Sequence, residues 1–383
     1  MRNSNTVLSQ FLKLVSRYEF NKLAEEHHKG QKFRRYQRFD QFVLLLTLQV
    51  TGRSSIRDVV DNALAQVSKL LRAGIMVMSR SSFSRVNNEQ PWQLYEALFY
   101  KLLGRCQTNA GKHPFRFHNK LYSMDASTID LCLSIFPWAE FRQTKGAVKI
   151  HAVLDHDGLI PSFMDITDGK THEVTVARSL QLPKGSILTM DRGYVDYAWF
   201  QSLDTKGIYF VTRSKSNMRY RVVKRNKVLK GSGVTCDQHI ELISQKGQHY
   251  KGLLRRVGYK DPETGKQYQY ITNHFKLSAK TIADIYKQRW QIELFFKWVK
   301  QNLKIKSFIG TSKNAVMTQI WLAMCTYLLI FYFKWKNSLT QSALNIIRLL
   351  HMNWFERRDI IELFKPPKKE DVGYSANLTL DFG

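Results

Sequence analysis

Four side chains in the run YKQRWQIELFFKWVK have the types and spacing to work on a phosphate ester: Tyr286, Arg289, Glu293 and Lys300. On a helix turning about 100° per residue they fall within an arc of roughly 60°. Ile285, Ile292, Phe295, Phe296, Val299 and Leu303 fill a neighbouring arc. One face of such a helix packs on a core, and an adjacent strip presents a carboxylate flanked by two cations and a phenol. A glutamate holds a divalent cation, while arginine, lysine and a tyrosyl hydroxyl reach phosphate oxygens. The competing reading is a plain amphipathic helix with solvated charges.

Such chemistry needs further acids. Two divalent cations about 4 Å apart require carboxylates converging from several elements. From residue 118 the pattern turns to strands. KLYSMDASTIDL (120–131) alternates around Asp125, and 146–169 reads as two strands joined by the tight turn His156-Asp157-Gly158. A short helix over 172–182 precedes a buried strand, SILTMDRGY, that ends at Asp191. A helix over 196–207 and the strand IYFVTR (208–213) follow. Asp157 and Asp168 precede glycine and read as turn formers, whereas Asp125 sits mid-strand after apolar Leu121 and Met124, and Asp191 follows the apolar run 187–190 at a strand end that aims it rigidly.

The spacing Y-x2-R-x3-E-x6-K resembles the signature of the insertion-sequence family four transposases, which include the Tn-five and Tn-ten enzymes. The pattern alone gives an α/β class; the resemblance implies a ribonuclease-H-like catalytic core with an inserted β subdomain and an N-terminal helical DNA-binding domain. It also implies that Asp191, in its Asp-Arg context, joins Asp125 and Glu293 as catalytic residues and metal ligands. Two Mg²⁺ ions, with Mn²⁺ as a substitute, would keep all three acids ionised. Tyr286, Arg289 and Lys300 become DNA contacts, joined by Arg192 and Lys297. Trp290 matches a stacking or wedge tryptophan of such relatives, or else is a core aromatic. Relatives that cut through a hairpin place a tryptophan in the inserted region, but this chain has none between Trp199 and Trp290. Tyr220, Tyr259 and His249 are the available substitutes.

The positioning elements divide into 1–115 (helical), 116–213 (core, first part), 214–267 (inserted β), 268–335 (core with the catalytic helix) and 336–383 (helical segment and Pro-Lys tail). In the first, helices are expected at 39–52, 54–66, 79–90 and from Trp92 to about Leu103, with Arg53, Arg57, Arg80, Arg85 and Asn87 exposed. They form either a helix-turn-helix reader of DNA or an ordinary bundle. Family resemblance at the N-terminus implies recognition of the element's terminal repeats.

Net charge of +28, from 59 Lys and Arg against 31 Asp and Glu, favours a polyanionic partner. Residues 201–313 carry 24 basic and 7 acidic side chains, while 116–200 carry 9 and 10, so a basic region adjoins a neutral, Asp-rich one. The expected partners are terminal inverted repeats and target DNA, held by a homodimer, with no small-molecule substrate and no membrane. Four scattered cysteines without C-x2-C, and no HExxH, argue against zinc and suit the cytosol. No signal-peptide h-region is read, and a cytoplasmic, nucleoid-associated location is expected. Uncharged Ala315 to Phe333 reads as a buried core helix rather than a membrane span. The competing functions are an inactive or domesticated DNA-binding protein and a ribonuclease-H-like nuclease without strand transfer.

Overall fold

The computed structural model describes residues 5–31, 33–142 and 145–365. Seven helices come first: α1 (Val7–Leu12), α2 (Arg17–Glu26), α3 (Arg38–Thr51), α4 (Ile56–Ala65), α5 (Val67–Arg72), α6 (Arg80–Glu89) and α7 (Gln93–Gln107). The middle comprises β1 (Leu121–Leu131), β2 (Glu140–Arg142), β3 (Lys145–Asp155), β4 (Ile160–Asp168), α8 (Glu173–Arg178), β5 (Ile187–Met190), α9 (Tyr197–Thr205) and β6 (Tyr209–Arg213). There follow β7 (Tyr220–Arg225), β8 (Val234–Leu242), β9 (Leu254–Lys260), β10 (Gln267–Thr272), α10 (Ala279–Gln288), α11 (Trp290–Asn302), α12 (Lys313–Lys336) and α13 (Ala343–Asn353). The Pro-Lys tail from Pro366 lies outside the described residues.

Local chemistry sets the helix limits. Ser16, Ser55 and Ser79 accept first-turn N–H bonds from Glu19, Asp58 and Ser82, satisfying donors that the helix itself leaves unpaired. Gly52 ends α3 in the left-handed region, at φ 65°. α12 is the apolar segment foreseen at 315–333. It is long and apolar enough to cross a membrane, yet 89% of its most apolar window is buried inside the protein. Trp321 stacks on Trp92 of the N-terminal region. Gln319 spends its amide on the chain after α11, donating to Lys304 O and Ser307 O and accepting from Ile309 N–H. One apolar cluster runs from Val7 through α3, α7 and α12 to Phe364 and includes Ile129 and Ile150 of the sheet.

Two details of the N-terminal reading change. Asn87 is buried, accepting from Gln41 at 2.6 Å and, at its carbonyl, from Asn314 at 2.9 Å, because α6 packs against α12. Arg53 is half-buried and paired with Asp58 at 3.1 Å, whereas Arg80 stays exposed as expected while pairing with Asp61 at 2.6 Å. Arg57 and Arg85 are exposed.

Ten strands form one sheet in the order β2-β3-β1-β5-β6-β10-β9-β8-β7, with β4 also on β3. β1, β3 and β4 are an antiparallel meander, and β1, β5 and β6 run parallel. That order is ribonuclease-H-like. The inserted strands β7 to β9 extend this same sheet, because β9 pairs with β10 from Lys260 to Arg255. Buried Arg255 donates to Asp237 at 2.8 Å and to Leu277 O at 2.5 Å, tying the insertion to the start of α10. Side chains alternate between the faces. Tyr122, Met124, Leu188 and Met190 meet α9 on one face. Leu121 and Ile187 meet α10 on the other, and Ile129 packs in the cluster that contains Ile292 of α11.

Candidate active site

β1 and β5 are in parallel register from Leu121/Ile187 to Met124/Met190. The next positions along the two strands are Asp125 and Asp191. Parallel neighbours lie about 4.8 Å apart, and by alternation both acids share the face of Leu121 and Ile187, which α10 covers. β5 ends at Met190, so the pair opens at these two residues. β1 has an antiparallel partner on one side and a parallel one on the other, and the crevice opens beside Asp125 where the parallel partner β5 reaches its C-terminal end.

The predicted single helix over Tyr286–Lys300 is broken at Arg289. Its N–H bonds to Tyr286 O at 3.1 Å and its carbonyl accepts from Ile292 at 3.2 Å, both three-residue spans, which tighten the backbone. The break lets α10 follow β5 and β6 while α11 crosses to β1 and β3. It also leaves Arg289 above the two aspartates. Its guanidinium is 2.5 Å from Glu293 and 3.6 Å from Asp125, with 12% of its side chain exposed. Asp191 receives Arg213 at 2.9 Å and the Tyr286 hydroxyl at 3.3 Å. Lys300 donates to Thr128 O, further along β1, at 2.8 Å. Trp290 is 56% exposed and not a core aromatic. Lys297 and Arg192 are exposed.

The electrostatics differ between the two aspartates. Burial raises the Asp125 carboxyl to about 6, against the Ala126 N–H and the Arg289 charge, and Glu173 and Glu293 add to the rise. Burial acts on Asp191 as well. There the hydrogen bonds from Arg213 and the Arg192 N–H, with the charges of Arg213 and Arg289, outweigh it and hold the carboxyl below its usual value. A carboxyl whose folded pKa exceeds its unfolded one destabilises the fold as pH rises through that interval. In metal-free protein Asp125 therefore lowers stability between its ordinary 3.8 and about 6. With EDTA present, Asp125→Asn is expected to be more stable than the parent to urea at pH 7, by about 3 kcal/mol. The gap closes near pH 4. Equal midpoints at pH 7 would contradict a burial-raised carboxyl.

Three contributors escaped the sequence reading. Arg213 follows Thr212, the β6 partner of Met190, so register alone sets it beside Asp191; it was invisible without strand pairing. Tyr194 is buried with no hydrogen-bond partner for its hydroxyl. Burial and the charges of Glu173, Asp125 and Asp191 keep that phenol protonated. Glu173, which opens α8, lies 3.7 Å from Lys149. Among the described residues no three His, Cys, Asp or Glu side chains stand ready as a metal cage. Arg289 occupies the space between Asp125 and Glu293 instead. The donor chemistry fits a hard divalent cation: every acid offered is a carboxylate. Arg289 Nε and the Tyr194 hydroxyl are buried polar atoms that the protein leaves unpartnered.

A family model described as "Transposase DDE domain" matches residues 117–329, more than half of the 383-residue chain. The chain belongs to the DDE transposase family. The matched span of this DDE transposase runs from just before β1 into α12 and contains Asp125, Asp191 and Glu293. A second model, for a domain of unknown function, matches residues 3–76. The putative transposase y4zB of Sinorhizobium fredii is 37% identical over 234 residues, covering 60% of this chain and 65% of that protein. A probable transposase for an insertion sequence element of Geobacillus stearothermophilus is 28% identical, covering 70% and 69%. The chain thus spans just under two thirds of the first relative's length. A solved piggyBac transposase synaptic complex with hairpin DNA overlaps 94% of this chain and 80% of that one, at 12% identity and a TM-score of 0.46. That value is too low to bear on function.

Proposed function

We propose that this DDE transposase cuts DNA at the terminal inverted repeats of an insertion sequence and joins the freed ends to target DNA by a cut-and-paste route. The observation that carries this reading is the adjacency of Asp125 and Asp191 where β1 and β5 diverge, with Glu293 linked to Asp125 through Arg289. Asp125, Asp191 and Glu293 would hold two Mg²⁺ ions, or Mn²⁺ in their place, which polarise the attacking oxygen and stabilise the leaving one. Arg289 compensates the acids in free protein and offers its fork to a backbone phosphate when DNA arrives. Tyr286 joins Arg289 at the phosphate beside the cleaved end, and Lys300 steadies the same DNA strand. Exposed Trp290, Lys297 and Arg192 lie where DNA would cross the helix break. The N-terminal helices recognise the repeats, and a homodimer holds the two ends.

The test uses the full-length protein, a linear duplex carrying both element ends, and MgCl₂. Nicking at the ends, and joining of precut ends to a target plasmid, are the expected products. Cleavage without joining would reduce the protein to a nuclease. Binding without cleavage would reduce it to a DNA-binding protein.

A further inference from the structure

Beyond Lys300, α11 runs out into a groove of about 350 Å³ that brings together three distant parts of the chain. Lys300, Lys304 and Lys306 come from the end of α11 and the segment after it, Gln49, Val50 and Gly52 from the C-terminal end of α3, and Arg348 and His351 from α13. No carboxylate lines it. The Lys300 ammonium is depressed by burial and by the charge of Lys306, against the charge of Asp130. Lys306, Arg348 and His351 are exposed, and Lys304 is half-buried. Gln49 is already committed, accepting from Lys304 N–H at 2.7 Å and donating to Lys304 O at 3.4 Å. Cations lining a groove that offers no carboxylate of its own repel one another unless an anion joins them.

The groove also has a measurable offset from the acids. Its inner edge, Lys300, is anchored at Thr128. Thr128 stands three residues beyond Asp125 on β1, roughly 10 Å at 3.4 Å per residue. That is the axial rise of about three nucleotides in duplex DNA. We propose that this groove is a second grip on the DNA backbone, taking phosphodiesters three or more nucleotides from the scissile bond, irrespective of sequence. The inference rests on the transposase reading above and extends it to where the flanking duplex is held.

Lys306→Gln/Arg348→Gln in the full chain tests it, since both side chains are exposed. Binding to a duplex of unrelated sequence is measured across a KCl series. The slope of log K against log [KCl] is expected to be shallower by about 1.8, at 0.9 per phosphate contact. Lys306→Arg/Arg348→Lys should restore it. An unchanged slope would overturn the inference; that result is also expected if these cations only complement the C-terminal dipoles of α3 and α11. Stabilisation by inorganic phosphate that the double variant loses, with the DNA slope intact, would instead mark a small-anion pocket and overturn it too. Mg²⁺-dependent cleavage by the parent separates the two failures: a parent that cuts while the variant keeps its slope sinks the groove alone.

Discussion

Glu293→Gln is expected to leave the protein folded and bound to DNA while Mg²⁺-dependent nicking falls by about 10³. The amide keeps the shape of the side chain, so α11 still packs through Ile292, Phe295, Phe296 and Val299. It removes one carboxylate from a set in which the other two are fixed by strand register. Arg289 retains Asp125 as its partner. Gel-resolved cleavage of end-bearing duplex and a binding assay in Ca²⁺ read the two effects separately. A variant that cuts as fast as the parent would remove Glu293 from the chemistry.

Arg289→Ala should cost about 3 kcal/mol of stability in EDTA at pH 7. Removing one member of a largely buried ion pair leaves the others uncompensated, and the lower end of the usual range applies because Glu293 is about a third exposed. The loss should shrink toward pH 4, where Asp125 is protonated in either protein. Millimolar Mg²⁺ should recover part of it by supplying the missing positive charge. Urea midpoints with and without Mg²⁺ provide the check. A defect equal at both pH values and insensitive to Mg²⁺ would mean that Arg289 packs rather than compensates.

Much of this arrangement could be read from residue order. β1, β3, β4, β5, β6 and β10 lie where alternation and turn residues put them, and Gly52 and Gly207 close helices at positive φ as glycine readily does. Asp125 stood out as a mid-strand acid after Leu121 and Met124, and Asp191 because an apolar run precedes it. What escaped was pairing information. Arg213 meets Asp191 only because β5 and β6 are in register. The helix break at Arg289 has no glycine or proline to announce it; the different courses of α10 over β5 and β6 and of α11 over β1 and β3 account for it. Asn87 looked exposed because its burial depends on Asn314 and Gln41, one of them more than two hundred positions away. The second grip was equally hidden, since its lysines, Gln49 and Arg348 meet only in three dimensions.

The placement of α12 sets a timetable for synthesis. Helices made first pack on one made late: the Cys106 thiol donates to Leu328 O, 222 positions downstream. At ribosomal speeds of about 5–20 residues per second, the early segments wait roughly 10 to 40 s for that partner. Until it emerges, the apolar sides of α3 and α7 lack their cover, so a prematurely terminated product has no way to complete the bundle. Only chains translated past α12 can close the apolar cluster that joins the N-terminal helices to the sheet.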